Sequence, residues 1–211
     1  GEYAELVSDP DRDIHFHNAC LFGIHERGKE IPKLTRDLSK RLIYCVLYGG
    51  GAKKTGSIIA PKESEHKQYE KGKQTIDTFY QNLPAIKKLK DQVESTLSKR
   101  DYLVGIDGRH LQIRSKHSAL NQLLQSTGAI TVKKATTILY DDMTNKGLKF
   151  FKDWGFVAHV HDEYQCLLRP EYTDLFQELA IDSFRKSGEY FNLKCPLTGE
   201  AKIGKNWCET H

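Results

Sequence analysis

The spacing of the hydrophobic residues changes near residue 100, and this change constrains the fold more than any other feature of the sequence. In the segments 34–48 and 76–97, apolar residues recur every three or four positions, which is typical of amphipathic helices. In the segment 102–113, apolar residues alternate on both sides of Asp107-Gly108, which predicts a β-hairpin. We therefore expect an α+β fold, with helices predominating in the first half and strands confined to the second.

The remaining elements are bounded by Gly, Pro or polar residues. The polar stretch Lys62–Lys73 lacks an apolar pattern and predicts a mobile connection. The predicted elements are a helix over Leu34–Tyr48 ending at Gly49-Gly50-Gly51, two helices over Ile76–Leu97 divided at Pro84, a helix over about Ser118–Lys146 with Leu120, Leu123, Leu124, Thr127 and Ile138 on its apolar side, buried strands Phe156–Val160 and Tyr164–Leu168, and a last helix near Tyr172.

Length and composition exclude several classes of protein. The 211 residues, 38% of them hydrophobic, allow one large domain or two small ones. No apolar stretch reaches bilayer length and the first thirty residues carry no leader pattern, so we expect a cytoplasmic protein without a membrane span. The 5 cysteines form no Cys-x-x-Cys pair, which argues against a disulfide framework and a thiolate zinc site.

Positive charge is concentrated in one part of the chain. Residues 33–116 hold 18 of the 32 Lys and Arg residues but only 9 of the 28 Asp and Glu residues. Such a local cationic surface on a nearly neutral chain suggests that this region holds a polyanion. A solvated pair of Lys-rich helices explains most of the lysines equally well.

The first chemical pattern is a polar row on the helix 34–48. Arg36, Lys40, Tyr44 and Tyr48 follow one another at four-residue steps and end on Gly49, so their side chains share one slowly rotating helix face. Two cations one turn apart suit a triphosphate, and the tyrosines offer flat surfaces to a sugar and a base. The alternative is an exposed amphipathic face with incidental cations.

The second pattern is His161-Asp162-Glu163 between two apolar runs. Two carboxylates at the tip of a hairpin suit Mg²⁺, which prefers hard oxygen ligands and shared phosphates, and Asp162 is the better ligand candidate. An ordinary reverse turn also favours Asp.

The third pattern is a polar row on the helix 118–146. Asn121 and Gln125 lie one turn apart, with His117 one turn earlier. Side-chain amides at this spacing can read base edges or sugar oxygens in a minor groove. Surface amides are common, so this pattern is weak alone.

Two further motifs fail on inspection. Gly49–Thr55 lacks the glycine that a phosphate-binding loop requires before Lys-Thr, and a helix precedes it where a strand should. His15, His17, Cys20 and His25 match no common zinc spacing. A phosphate or carboxylate partner for one of these histidines is the better interpretation.

Taken in order, these residues resemble the family A DNA polymerases, in particular their bacteriophage replicative branch. Arg36-x3-Lys40-x3-Tyr44-x3-Tyr48-Gly49 is similar to the nucleotide-closing fingers helix, and Val160–Glu163 is similar to the palm motif with a catalytic carboxylate. Further similarity extends through nearly the whole chain and includes Asp13-Ile14-His15, the basic hairpin Gly105–Arg114 with Arg109, the segment Leu120–Ser126 with Asn121 and Gln125, and the ending Gly204–Cys208.

The resemblance implies a right-hand polymerase fold and a role for each matching residue. Residues 1–101 would form helical fingers, and residues 102–211 the C-terminal part of the palm, with β-hairpins packed on helices. Asp162 would ligate two Mg²⁺ ions, supported by Glu163 and His161. The other implied roles are triphosphate binding by Arg36, Lys40 and His15, sugar discrimination by Tyr44, stacking near the template by Tyr48, and DNA contacts by Asn121, Gln125, His117, Arg109 and Arg114.

One departure from the family limits this interpretation. The family carries a second catalytic aspartate in a motif Asp-x-Ser-x-x-Glu-x-Arg, and the sequence contains no such motif. His117 also stands where many relatives carry Arg. We therefore expect template-directed DNA synthesis from dNTP and primer-template DNA only with a separate N-terminal portion that supplies the missing aspartate and the thumb. The proofreading exonuclease domain of the family also has no counterpart in the sequence.

Two other functions remain open at this point. A non-catalytic remnant of a truncated polymerase would bind DNA or nucleotides without turnover. Single-subunit RNA polymerases share the two-metal palm chemistry, but Glu163 and Tyr44 favour the DNA-synthesising branch.

Overall fold

The computed structural model describes Tyr3, Glu5, Leu6, Asp9 and residues 12–210. Most of these residues are helical, with two small hairpins. The helices are α1 (Ile14–Leu21), α2 (Lys33–Leu47), α3 (Ala52–Ile59), α4 (Glu65–Asn82), α5 (Pro84–Leu97), α6 (Ala119–Asn145), α7 (Thr173–Tyr190) and α8 (Trp207–Thr210). The strands are β1 (Tyr102–Val104), β2 (His110–Gln112), β3 (Trp154–Val160) and β4 (Glu163–Leu168).

The chain divides into two compact units. Among the described residues, the first unit comprises Asp9 and residues 12–124, and the second comprises residues 125–210 together with Tyr3, Glu5 and Leu6. The division therefore falls within α6. The predicted division into fingers (1–101) and palm (102–211) is a functional one and stays a prediction.

The core of the first unit lies between α1, α2 and α4. The rings of Phe22 and Phe79 stack with their centroids 4.4 Å apart, and both side chains are fully buried with Leu42. Asn82 adds a hydrogen bond from Nδ2 to the carbonyl oxygen of Leu21 (3.0 Å). These contacts pack the end of α1 against α4.

Helices α3 and α4 cross closely at two glycines. A side chain at Gly56 would overlap the carbonyl oxygen of Gln68, and one at Gly72 would overlap that of Ala52. The prediction of a mobile connection over Lys62–Lys73 is therefore wrong, because α4 begins at Glu65 and includes most of this stretch. Its polar face is solvated, and glycine rather than apolar residues makes the packing surface, so the hydrophobic pattern gives no signal.

The β1–β2 hairpin packs on helices within the first unit. Its strands pair antiparallel with Leu103 opposite Leu111, around the predicted turn at Asp107-Gly108, where Gly108 has φ +83°. Leu103 is buried in a cluster with Val93, Leu97 and Ala119. The hairpin is thereby held against α5 and the beginning of α6.

The core of the second unit lies between the β3–β4 hairpin and two helices. Leu139 and Met143 of α6, Trp154 of β3, and Phe176 and Leu179 of α7 form one buried cluster. Burial raises the pKa of Tyr164 to about 12 and the pKa of Cys166 to about 12. The inner face of this hairpin therefore packs against α6 and α7, in agreement with the prediction of hairpins packed on helices.

The outer face of the same hairpin is exposed. The register shifts between Phe156 and Ala158, so that Val157 bulges outward. Val157 and Leu167 are 57% and 69% exposed. The prediction of two buried strands is therefore wrong for this face, since two apolar runs in sequence do not show how many layers cover them.

Several boundaries predicted from the sequence match the structure, but three helices were missed. Helix α2, the break at Leu83 before Pro84, and the long helix α6 are confirmed within one or two residues. Helices α1 and α3 have 8 residues each and α8 has 4, which is too short to give a periodic pattern. Leu124 was expected on the apolar side of α6 but is 37% exposed.

Candidate active site

Asp13 joins the beginning of α1 to α2. Its Oδ1 accepts a hydrogen bond from the backbone N–H of His15 (2.9 Å), which caps the helix. Its Oδ2 accepts one from Nε of Arg36 (2.8 Å). Partial burial acts to raise the pKa of Asp13, but the hydrogen bonds from Arg36, His15 and Phe16 outweigh it and lower the pKa.

A second link between the two helices comes from Ser39, which is fully buried. Its hydroxyl is 2.8 Å from the carbonyl oxygen of His15 and 2.9 Å from that of Arg36. Because the hydroxyl carries one proton, the two carbonyl groups share this donor. The links from Asp13 and Ser39 fix His15 beside the first turns of α2.

His15 lies in a positive environment. Burial, then the charges of Arg36 and Lys40, lower the pKa of His15, and Asp13 and Asp37 only partly offset them. Nδ1 of His15 is buried without a hydrogen-bond partner among the described residues. His15, Arg36 and Lys40, which the sequence proposed as triphosphate ligands, are therefore close neighbours in space.

The two tyrosines extend the same helix face beyond the cations. The rings of Tyr44 and Tyr48 are 5.8 Å apart and tilted by 43°, and both are exposed, at 55% and 44%. Gly49 follows with φ +83°, and a Cβ there would overlap the carbonyl oxygen of His117. The C-terminal end of α2 is thus held against the residues that precede α6.

The acidic turn lies at the tip of the β3–β4 hairpin. Val160 pairs with Glu163, which leaves His161 and Asp162 as a two-residue turn, and His161 has φ +54°. His161 and Asp162 are exposed, whereas Glu163 is half-buried and is the first residue of β4. The predicted turn is present, with Glu163 in the strand rather than at the tip.

Glu163 is connected to the end of the chain through one amide side chain. Nε2 of Gln165 donates to Oε1 of Glu163 (3.2 Å), and Oε1 of Gln165 accepts from the hydroxyl of Thr210 (3.3 Å). Thr210 closes α8. Nothing in the sequence pattern predicted this chain of hydrogen bonds.

The acidic turn offers part of a metal site. A carboxylate on an exposed two-residue turn is the kind of ligand that Mg²⁺ takes in proteins, with water and phosphate oxygens completing its shell. No group of three or more His, Cys, Asp or Glu side chains that could hold a metal occurs among the residues that the structure describes. The Asp162 carboxylate therefore fits Mg²⁺ as one ligand.

The residues proposed to contact DNA differ in their surroundings. Oδ1 of Asn121 is buried without a partner in the described part of the chain, and Gln125 is exposed one turn later on α6. His117 and Arg114 are exposed. Arg109 is exposed but forms an ion pair with Asp107 across the hairpin turn, with Nε 2.7 Å from Oδ2.

Sequence reasoning did not predict that Asp13 and Ser39 position the cluster of His15, Arg36 and Lys40. Asp13 carries the signal of a helix N-cap, an Asp directly before helical residues, but no apolar periodicity marks α1. Ser39 has no signal, because its partners are backbone groups of another helix.

Among the described residues, no helix combines the length and hydropathy needed to cross a bilayer.

Comparison with known proteins gives one consistent result. The sequence profile described as DNA polymerase family A matches residues 4–209. The DNA-directed DNA polymerases of Enterobacteria phage T3 and Escherichia phage T7 are each 35% identical to the chain over 228 aligned residues, with all of the chain covered.

The chain spans 30% of the length of these two relatives. The fold agrees with a solved structure of the POL domain of Pol1 from M. smegmatis in complex with DNA primer-template and dNTP. The TM-score is 0.73 at 18% identity, with 88% of the chain and 33% of the solved chain covered. Since the family profile covers nearly every residue, the chain belongs to DNA polymerase family A.

Proposed function

We propose that the chain carries the nucleotide-binding fingers and the C-terminal part of the palm of a template-directed DNA polymerase. The observation that carries this proposal is the grouping of His15 with Arg36 and Lys40, since His15 comes from a different helix and no periodicity requires it to be there. Two cations and an imidazole around one position suit the oxygens of a dNTP triphosphate. Tyr44 and Tyr48 extend this surface toward the sugar and the templating base.

The acidic turn supplies the chemical part of the proposal. Asp162 is the residue that would hold Mg²⁺, with Glu163 beside it. When bound, Mg²⁺ would lower the barrier to attack by the primer 3′-hydroxyl and would neutralise charge on the departing pyrophosphate. The protein's own contribution is to fix the Asp162 carboxylate on a tight turn, so that little ordering is required during the reaction.

DNA contacts complete the proposed site. Asn121 and Gln125 would read the minor-groove acceptors, which occupy similar positions in all correct base pairs. Arg109, Arg114 and His117 would contact the DNA around the primer end. The side-chain N–H₂ groups of Asn121 and Gln125 would donate to these acceptors.

A partner portion is part of this proposal. The chain spans 30% of its phage relatives, and the sequence lacks the motif with the second catalytic aspartate. We expect a separate N-terminal portion to provide that aspartate and the thumb. The absence of a three-residue metal cluster from the described residues also favours a second candidate, a nucleotide- and DNA-binding remnant without turnover.

Primer extension separates the two candidates. The chain would be combined with a separately produced N-terminal portion of a related family A polymerase, a primer-template, Mg²⁺ and dNTP. Extension that requires both portions and follows the template supports the polymerase. Salt-sensitive DNA binding without extension in any combination would support the remnant.

A further inference from the structure

The carboxylate of Asp13 serves two partners with two separate oxygens. Oδ1 accepts from the backbone N–H of His15 and caps α1. Oδ2 accepts from Nε of Arg36 at 2.8 Å. The hydrogen bond that caps α1 already fixes this carboxylate. If the Arg36 side chain moves away, the carboxylate can follow it only by giving up that hydrogen bond.

Within the described part of the chain, the guanidinium of Arg36 is therefore held at Nε and not at its two Nη groups. Nε of Arg36 faces Asp13, and no hydrogen bond to its terminal nitrogens is found within the described part of the chain. The side chain remains 39% exposed. The two Nη groups are thus the donors available to an anion, and a planar guanidinium presents such groups as a fork that matches phosphate oxygens.

We infer that Asp13 is a positioning residue for the nucleotide: by holding Nε of Arg36, it presents the two Nη groups to the triphosphate. This inference rests on the proposed function of the cluster. Asp13 keeps this contact in the nucleotide-bound protein as in the free protein. The benefit is that Arg36 loses less side-chain freedom on binding, because its rotamer is set in advance.

The opposite role for Asp13 predicts the opposite result. A carboxylate next to a triphosphate site repels the anion, so a purely electrostatic or competing role predicts tighter nucleotide binding when Asp13 is neutralised. Both side chains are partly exposed, 39% for Arg36 and 35% for Asp13. Solvent screens such repulsion, and we expect the loss of positioning to dominate.

The substitution Asp13→Asn isolates the contact with Arg36. Asparagine retains a side-chain oxygen for the His15 N–H and is as good an N-cap as aspartate, but its amide N–H₂ cannot accept from Nε. Asp37→Asn is the matched control, because it removes the same charge from a residue that also lies near His15 without an observed contact to Arg36. Asp13→Ser, which also caps helices, serves if Asp13→Asn fails to fold.

The measurement is the dissociation constant of Mg²⁺·dGTP for the 211-residue chain. We expect binding to weaken about ten-fold in Asp13→Asn and less than about two-fold in Asp37→Asn. In an Arg36→Lys background, which lacks the Nε donor, Asp13→Asn should have no further effect on the dissociation constant. If Asp13 served only as a helix cap, its substitution would weaken binding equally with arginine or lysine at position 36.

Three results would overturn the inference. The first is equal affinity of the wild type and Asp13→Asn, which includes no measurable binding by either protein. The second is tighter binding by Asp13→Asn. The third is an undiminished effect of Asp13→Asn in the Arg36→Lys background. Failure of the proposed function is distinguishable. Asp13-dependent binding of dGTP without any primer extension after complementation would overturn the polymerase proposal alone.

Discussion

The α-carbon of Gly49 lies against the main-chain carbonyl of His117, with no room between them for a side chain. Gly49 also has φ +83°, a conformation that residues with a Cβ rarely adopt. The contact joins the end of the helix that carries Arg36, Lys40, Tyr44 and Tyr48 to the segment before α6. Two features of Gly49 therefore depend on the missing side chain.

Gly49→Ala should lower the free energy of unfolding by about 1–3 kcal/mol, because alanine adds both backbone strain and an overlap with His117. Chemical denaturation followed by circular dichroism measures this change. Gly128→Ala is the matched control, since Gly128 lies within α6 with open space around it. That substitution should stabilise the chain by about 0.5–1 kcal/mol. Equal effects at the two positions would refute the packing argument.

Asn121 predicts a difference between stability and function. Because its buried Oδ1 has no partner in the described part of the chain, Asn121→Leu should leave thermal stability unchanged or higher. The same substitution should weaken primer-template binding. Gln122→Leu is the control on the next residue, since Nε2 of Gln122 donates to the carbonyl oxygen of Gln112 at 2.8 Å. It should cost about 0.5–1.5 kcal/mol and leave DNA affinity unchanged.

Calorimetry and a DNA-binding titration test this pair of substitutions. Loss of stability in Asn121→Leu, with unchanged DNA affinity, would show that Asn121 has only a structural role.

The pKa of His15 should lie below its ordinary value of 6.5, and NMR titration of the imidazole measures it directly. Lys40→Met should raise this pKa, because the substitution removes one of the positive charges that lower it. The unfolded chain binds a proton at higher pH than the folded chain. The stability contributed by neutral His15 is therefore complete above pH 6.5 and is lost as the pH falls below that value.

A urea-denaturation series between pH 7.5 and 5 tests the sign, and His15→Gln should reduce the slope. A pKa for His15 above 6.5, or one that is unchanged in Lys40→Met, would mean that the cluster does not form as described.

The sequence predicted which helix face and which turn carry the candidate site residues, but not the contacts that position them. The row of Arg36, Lys40, Tyr44 and Tyr48 follows from helical spacing alone, and the acidic turn follows from two apolar runs with a polar break. Both patterns are local. The position of His15 beside Arg36 depends on a cap and on a buried serine hydroxyl that reaches between helices, and neither contact leaves a periodic trace.

The elements that were missed or misjudged have two causes. Helix α3 and the first half of α4 pack through Gly56 and Gly72, so their packing surface carries no apolar stripe. The exposed outer face of the β3–β4 hairpin also could not be predicted, because the same apolar run suits a strand covered on one face or on both. The roles of the site residues stay predictions.

Asp162→Ala should reduce primer extension in the complemented reaction by about a thousand-fold or more, because a lost metal ligand removes several kcal/mol of transition-state stabilisation. Affinity for primer-template should change little, since backbone contacts use other residues. Asp174→Ala, at an exposed carboxylate in the first turn of α7, is the control and should retain extension. Equal rates for Asp162→Ala and the wild type would refute the assignment of Asp162.

The central claim is that the cluster around His15 and the turn at His161-Asp162 both take part in binding Mg²⁺·dNTP. The most direct measurement is an NMR experiment on the complemented protein with ¹³C-labelled histidine. The sample contains the matching dNTP and a primer that ends in a dideoxynucleotide, so that no reaction occurs, and paramagnetic Mn²⁺ replaces Mg²⁺. The account predicts that the imidazole signals of His15 and His161 both broaden, and that Asp162→Asn abolishes the broadening at His161. Broadening at only one of the two histidines in the unsubstituted protein would contradict it.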